Sequence, residues 1–439
     1  MHEPQDSDTN QAISKIRTWL PRSFFERNPC LLPSRSPFPV IEDPVGFYHV
    51  GTSLSFHSSS YSLLQPNLSI DQHRRHLIMH NLRDLLLSSS PQGTPYLTPS
   101  EAFRMDQEDT RQCIARGEFK EIRSAAFSNR TWIITSRYCE LGDGVDSLEE
   151  YIHSIWYMYY QLGRNISHET PDHEGLVLDI VRIQGIGPLT RPVRGNYGVD
   201  IARTAEGVLW NELPFLATDM TSFWNSDFPT MSGTHRLNFA TFLAKLASTR
   251  VAKDRLCQIA LILFRNLFEE RQGLRSGEES DDEDPKRSMH QLEVFHLLPA
   301  AVAWLRHTGH NLILLSEVYW NDCPCIISKG GEMFIESELG QRSPTGFSPW
   351  RYMYWLQRLH EIQEEAKEAN EKLLEEYATD AIDYMLNTLV QRNSEILRAY
   401  RNGGDALHQN KHLLCLNRLL ESEATENEDF KDDSKDGVK

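Results

Sequence analysis

The segment GFSPWRYMYWLQRLHEIQEEAKEANEKLLEEYATDAIDYM, residues 346–385, constrains the fold more than any other part of this chain. Ser348 stands where an N-cap belongs, and Pro349 follows at the first helical position, where a missing N–H costs nothing. Beyond them Tyr352, Trp355, Leu359, Ile362, Ala366, Ala369, Leu373, Tyr377, Ala381 and Tyr384 recur at steps of three or four. That spacing puts them on one helical face, with Glu361, Glu364, Glu365, Glu368, Lys372, Glu375 and Glu376 opposite. The expectation is one very long amphipathic helix over about 349–400, ended by Gly403 and Gly404. An apolar stripe of that length needs other helices to bury it. The predicted fold class is therefore all-α, an irregular bundle of roughly eight to ten helices with this one as its spine.

Helical periodicity extends well upstream. Ser147 and Glu150 have the spacing of a capping box, and Leu148, Ile152, Ile155, Trp156, Tyr159 and Leu162 form the face behind it. Further helices are expected over about 172–184, over 205–225 with a break at Pro214, over 234–249, over 252–270 and over 290–307. A last one covers about 406–420. The helical domain thus spans 147–420. It is interrupted at 273–288, where six of the seven residues from Glu278 to Asp284 are acidic; such a run repels itself and reads as a solvated loop. The tail at 421–439 is polar and acidic, and reads as disordered. Residues 1–100 differ in kind. They hold 11 of the 21 prolines, which fix φ and donate no hydrogen bond, so they read as largely irregular. Residues 101–146 are an ambiguous connection in which TWIITSRY, 131–138, reads as a short strand.

Charge excludes some functions. With 45 basic and 62 acidic residues the formal net charge is −17, and no basic run exceeds two residues. Nucleic-acid binding relies on Lys and Arg neutralising phosphates, so it is not expected here. No stretch approaches the roughly 18 apolar residues of a membrane-spanning helix. The start, MHEPQDSDTN, lacks the features of a secretory signal, and seven scattered cysteines read as reduced thiols. The expected location is intracellular, cytoplasmic or nuclear.

Motifs that carry chemistry are scarce. His73, His76 and His80 share a helical face, but no cysteine pair accompanies them. In HETPDHE, 168–174, the histidines are five apart with Pro171 between them, so they cannot share a helical face. Cys323-Pro-Cys325 reads as two thiols in a loop. No phosphate-binding loop, nucleophile elbow or zinc-protease helix is present. No catalytic residue, metal ligand or cofactor is assigned. The candidate binding residues are Arg351, Trp355 and Arg358, an Arg–Trp–Arg stripe beside the apolar face, with His307 on a neighbouring segment. Such a stripe can grip an anionic or aromatic ligand. The structural alternative is favoured: both arginines packed over the tryptophan and paired with carboxylates of a neighbouring helix.

Five segments carry a resemblance: LWNELPFLATDMTSFWN at 209–225, LNFATFLAKL at 237–246, CQIALILFRNLFEE at 257–270, LPAAVAWLRHTGHNLILLS at 298–316 and GFSPWRYMYWLQRLHEI at 346–362. Over about 147–390 the chain resembles a family of uncharacterised proteins from filamentous ascomycete fungi, a domain-of-unknown-function family. The resemblance implies a helical domain and brings no activity, substrate or catalytic residue. The expected role is non-enzymatic, an interaction or scaffold function with protein partners. The alternative is a helical enzyme or small-molecule-binding protein with a site between the long helix and 298–316.

Overall fold

The computed structural model describes residues 99–193, 198–274, 282–391 and 394–421, and these are mostly helical, joined by loops and with two very small strand pairs. The all-α expectation holds. The principal helices are α1 (Pro99–Ala115), α2 (Glu149–Asn165), α3 (Pro171–Gly185), α4 (Leu216–Ser226), α5 (Gly233–Ser248), α6 (Gln258–Phe264), α7 (Val294–Glu317), α8 (Pro349–Glu368), α9 (Lys372–Val390) and α10 (Glu395–Arg401). The core runs through a chain of neighbours: α1 on α2, α2 on α5, α5 on α7, α7 on α9 and α9 on α8. Close approach has residue-level causes. A Cβ on Gly163 of α2 would lie 2.6 Å from the Phe242 ring of α5, so only glycine fits there. Across the α5–α7 seam Thr308 Oγ1 donates to the Ala244 carbonyl at 2.9 Å, and the Asn311 amide to that of Ala247 at 2.9 Å.

The single long helix is corrected: it is a hairpin of α8 and α9. Ser348 caps α8 as expected, accepting from the Arg351 N–H at 3.1 Å, with Pro349 at the first position. The helix ends at Glu368 because Asn370 turns left-handed, φ 58°. Glu371 N then donates to Ala366 O at 2.8 Å and Asn370 N to Lys367 O at 3.2 Å. This is the Schellman pattern of helix termination, in which asparagine can replace the usual glycine. The chain doubles back, so that Gln363 Nε2 reaches Thr379 Oγ1 at 2.8 Å. The buried register changes with it. Tyr352, Trp355, Leu359, Ile362 and Ala366 are buried as expected, but Ala369 and Leu373 are exposed. In α9 the inward residues are Leu374, Ala378, Ala381, Ile382, Met385 and Leu389.

Other boundaries also shift. Residues 131–138 are helix, not strand: a run over 119–141 alternates α turns (Phe119–Ser124, Thr131–Ser136) with wider π turns (Ala125–Arg130, Arg137–Leu141). Buried Ala126, Ile134 and Tyr138 pack it onto the core, and this burial overrides the β-branched preference of the sequence. Ser147 does not cap; its hydroxyl donates to Gly144 O at 2.7 Å, and α2 starts at Glu149 after a 3-10 turn. The run 205–225 is helical only from Leu216. Before it lie β1 (Thr190–Pro192) with β2 (Val199–Ile201), and β3 (Arg203–Thr204) with β4 (Gly207–Val208), both antiparallel. The segment 252–257 does not open a helix either. Arg250, Ala252, Lys253 and Asp254 are left-handed, and α6 begins at Gln258.

Of the acidic loop at 273–288, residues 275–281 lie outside the described residues, as do 1–98, with His73, His76 and His80, and the tail beyond Glu421. The acidic end from 282 is a loop, but a docked one: Glu283 reaches Arg164 Nη2 at 2.7 Å and His235 Nδ1 at 2.6 Å, and Asp284 N donates to Thr230 O at 3.0 Å. The Arg164 guanidinium offsets part of the repulsion that keeps an isolated acidic run in solvent.

Candidate functional site

The four candidate residues divide into three places. Arg351 and Trp355, one turn apart on α8, meet at a fully buried carboxylate, Glu269, in the π turn (Arg265–Glu269) that closes α6. Arg351 grips it with two bonds, Nε to Oε1 at 2.7 Å and Nη2 to Oε2 at 2.9 Å. The Trp355 indole N–H donates to the same Oε1 at 2.7 Å, and Gly331 N donates to Oε2 at 2.8 Å. Arg351 Nη1 completes the set by donating to Ser328 O at 2.8 Å and Gly346 O at 2.9 Å. The guanidinium also lies 5.7 Å from the Trp355 ring centroid. Every strong donor here has an acceptor, which is the condition for holding an ion pair in a dry interior. The arrangement is an anchor: it ties the irregular segment 328–346 to α6 and α8.

Arg358 is elsewhere. It pairs along its own helix with Glu361, and with Glu365 at 3.9 Å, so of the two arginines only Arg351 reaches a carboxylate from another element. His307 sits on α7 with Lys245, Arg306 and Glu174 among its charged neighbours; burial, then Lys245 and Arg306, push its pKa down to about 4 against the opposing Glu174. His173, on α3, is fully buried, bonded to Asn238 O at 3.1 Å, and also lowered to about 4, chiefly by burial. The interior around Trp355 is packed, and the four residues form no common pocket.

A cleft does open on the far side of the anchored segment. It measures about 470 Å³ and is lined by Glu206, Glu212, Ala252, Lys253, Arg255, Asn321, Asp322, Cys323 and Pro324. Small-molecule sites typically occupy about 300–1,000 Å³. Left-handed backbone concentrates in and next to its lining. Nine non-glycine residues among those described have positive φ; Ala252 and Lys253 line the cleft, and Trp210, Leu213, Phe215, Arg250, Asp254 and Tyr319 each stand within three residues of a lining residue. Left-handed backbone costs an L-residue roughly 1–2 kcal/mol. Side chains hold it in place. Glu212 accepts from Val208 N at 2.7 Å and pairs with Lys253, locking 206–212 to 252–255. Glu206 accepts from Phe215 N at 3.0 Å and from the Thr218 hydroxyl at 2.7 Å, where α4 begins. Asp254 takes Arg250 Nη2 at 2.6 Å. The third wall, 321–324, is tied to the start of α8 by Phe347 N, which donates to Trp320 O at 2.9 Å. Cys323 is half-buried there, its thiol pushed up to about 11 by burial, so it stays protonated near neutrality.

Residues 156–359 match the model of the family described as Protein of unknown function (DUF3632). A curated relative is 65% identical over 341 residues, 78% of this chain and 95% of the relative: oxopyrrolidines biosynthesis cluster protein G of Penicillium oxalicum. The chain belongs to this family. No solved structure matches it. The DUF3632 match contains the whole cleft and the whole anchor, from Glu206 to Trp355. Among the described residues, no helix is long and apolar enough to cross a membrane.

The cleft residues were not legible as a site beforehand. Glu206, Glu212, Lys253 and Arg255 are ordinary surface types in the sequence, and left-handed φ at Ala252 or Lys253 has no residue signature, since glycine or asparagine is absent there. The one available signal was LWNELPF, whose proline breaks the apparent helical pattern.

Proposed function

We propose that this DUF3632 protein is a non-enzymatic binding protein serving small-molecule biosynthesis inside the cell, and that it binds its ligand in the cleft of 206–212, 252–255 and 321–324. The observation that carries this reading is the left-handed backbone of Ala252 and Lys253 in the cleft lining, with six more such residues within three positions of a lining residue. Strain of that kind persists where surrounding structure over-determines it, and it clusters at ligand clamps. The curated relative supports the setting, because its name places it in a biosynthesis cluster. The chemistry of the lining supports binding rather than turnover: its one thiol is held neutral, and both glutamates are engaged with backbone donors. The test is a metabolite thermal-shift screen on the full chain beside a Pro324→Trp variant, in which an indole fills the cleft. Hits abolished by the plug support the reading. A screen whose hits all survive the plug, or that yields none, overturns it.

A second reading, protein docking, has its own observation. The β1–β2 ribbon faces solvent with Val199 at 64% and Ile201 at 47% exposure, and Leu141 at 59% on the neighbouring helical run. Apolar residues gathered on an open two-stranded edge suit strand addition. Affinity purification with wild type and a Val199→Lys/Ile201→Lys variant tests it; a partner held equally by both counts against this surface.

A further inference from the structure

The polar groups of the cleft are unequally committed. Glu212 spends Oε2 on Val208 N and Oε1 on Lys253, and Glu206 spends its oxygens on Phe215 N and Thr218. These carboxylates and the Lys253 ammonium are therefore structural. What remains is one cation and one anion. The Arg255 guanidinium makes no hydrogen bond among the described residues, its nearest carboxylate oxygen being Glu206 Oε2 at 4.0 Å. On the 321–324 segment of the lining the Asp322 carboxylate and the Asn321 amide are exposed and have no partner among the described residues. Cys323 beside them stays neutral and adds no charge.

A ligand with one charge would pair with one of these groups and leave the other without a partner in the same cleft. Pairing both gives a charge-assisted bond at each end. A doubly charged ligand of one sign would meet repulsion from the group of its own sign. We infer that the cleft selects a small zwitterion, its carboxylate on Arg255 and its ammonium on Asp322 with Asn321 accepting beside it. The inference rests on the cleft being the binding site, and it names the ligand class for that site. The volume of about 470 Å³ suits an amino acid or a dipeptide-sized molecule.

The experiment is calorimetric titration of the full chain with L-alanyl-L-glutamine, its N-acetyl form, which keeps only the carboxylate, and its C-terminal amide, which keeps only the ammonium. The zwitterion is expected to bind at least about tenfold tighter than either capped form, that is by about 1.4 kcal/mol. Arg255→Gln should bring zwitterion affinity down to that of the amide, and Asp322→Asn to that of the N-acetyl form. Both side chains lie at the surface of the cleft, so neither variant should move the melting temperature. Equal binding of all three probes, or no binding of any, overturns the zwitterion inference. If a compound of one charge sign instead emerges from the metabolite screen as a hit that Pro324→Trp abolishes, the class is wrong and the cleft stands. If no plug-sensitive hit exists, the cleft itself is wrong.

Discussion

Glu269 accepts three side-chain hydrogen bonds and one backbone bond without contact with solvent, so the residues around it respond unequally to truncation. Glu269→Ala leaves the Arg351 guanidinium buried with only two carbonyls, Ser328 and Gly346, and should cost about 3–5 kcal/mol, the usual penalty for an uncompensated buried charge. Trp355→Phe keeps most of the aromatic volume and removes one donor, so it should cost about 1–3 kcal/mol. Urea denaturation of the two variants decides the ranking. A Glu269→Ala loss under about 1 kcal/mol would mean that water reaches the pair. Because Arg351 also donates to Gly346 O, next to the Phe347 N–H that bonds Trp320 O, the same variant should loosen the cleft wall as well, seen as faster amide exchange at Asn321 and Asp322.

At the scale of the element, the turn at Asn370 decides whether 349–390 is a rod or a hairpin. With φ at 58°, Asn370→Gly should be neutral within about 0.5 kcal/mol, the relief of left-handed strain offsetting glycine's added chain entropy. Asn370→Val should cost about 1–2 kcal/mol, since a β-branched side chain is poorly tolerated there. In a continuous helix the order would invert, with glycine costing about 1 kcal/mol and valine less. Thermal melts of the pair check this, and glycine falling below valine would sink the hairpin. The stripe itself was legible from the sequence as far as Ala366, because five inward residues at helical spacing leave one register. Its continuation was not. Ala369 and Leu373 fit the same spacing by chance, and a lone Asn inside an Ala/Glu-rich run is a weak stop signal beside the strong helix formers around it.

For the molecule as a whole, the buried histidines set an acid limit. His173 has its folded pKa lowered to about 4, against roughly 6.5 unfolded. Between those values the unfolded chain binds the extra proton, so the stability from neutral His173 is complete above about pH 6.5 and is lost progressively down to about pH 4. His307, lowered to about 4, acts in the same direction. Asp106 and Asp219, raised by burial, act oppositely at lower pH, and His153, raised overall beside Asp219, opposes within the histidine range. A difference measurement isolates the term. From pH 7 to pH 5, wild type should lose more stability than His173→Gln, which keeps an N–H donor for Asn238 O, by about 1–2 kcal/mol. Parallel pH curves for the two proteins would show that His173 is not held neutral by the fold.

The sequence by itself determined that the chain is helical, how α8 is capped and that its stripe of Tyr352, Trp355, Leu359, Ile362 and Ala366 turns inward; it did not show that Arg351, Met353, Tyr354 and Leu356 are buried too. The properties it determined depend on spacing and on local hydrogen bonding, which a sequence states directly. Tertiary structure alone decided that Arg351 meets a carboxylate 82 residues away, that 349–390 folds back on itself, and that 206–212, 252–255 and 321–324 converge on one cleft. Pairings between distant residues and left-handed backbone at ordinary residue types arise only when packing supplies partners to hold them, and no local pattern records those partners.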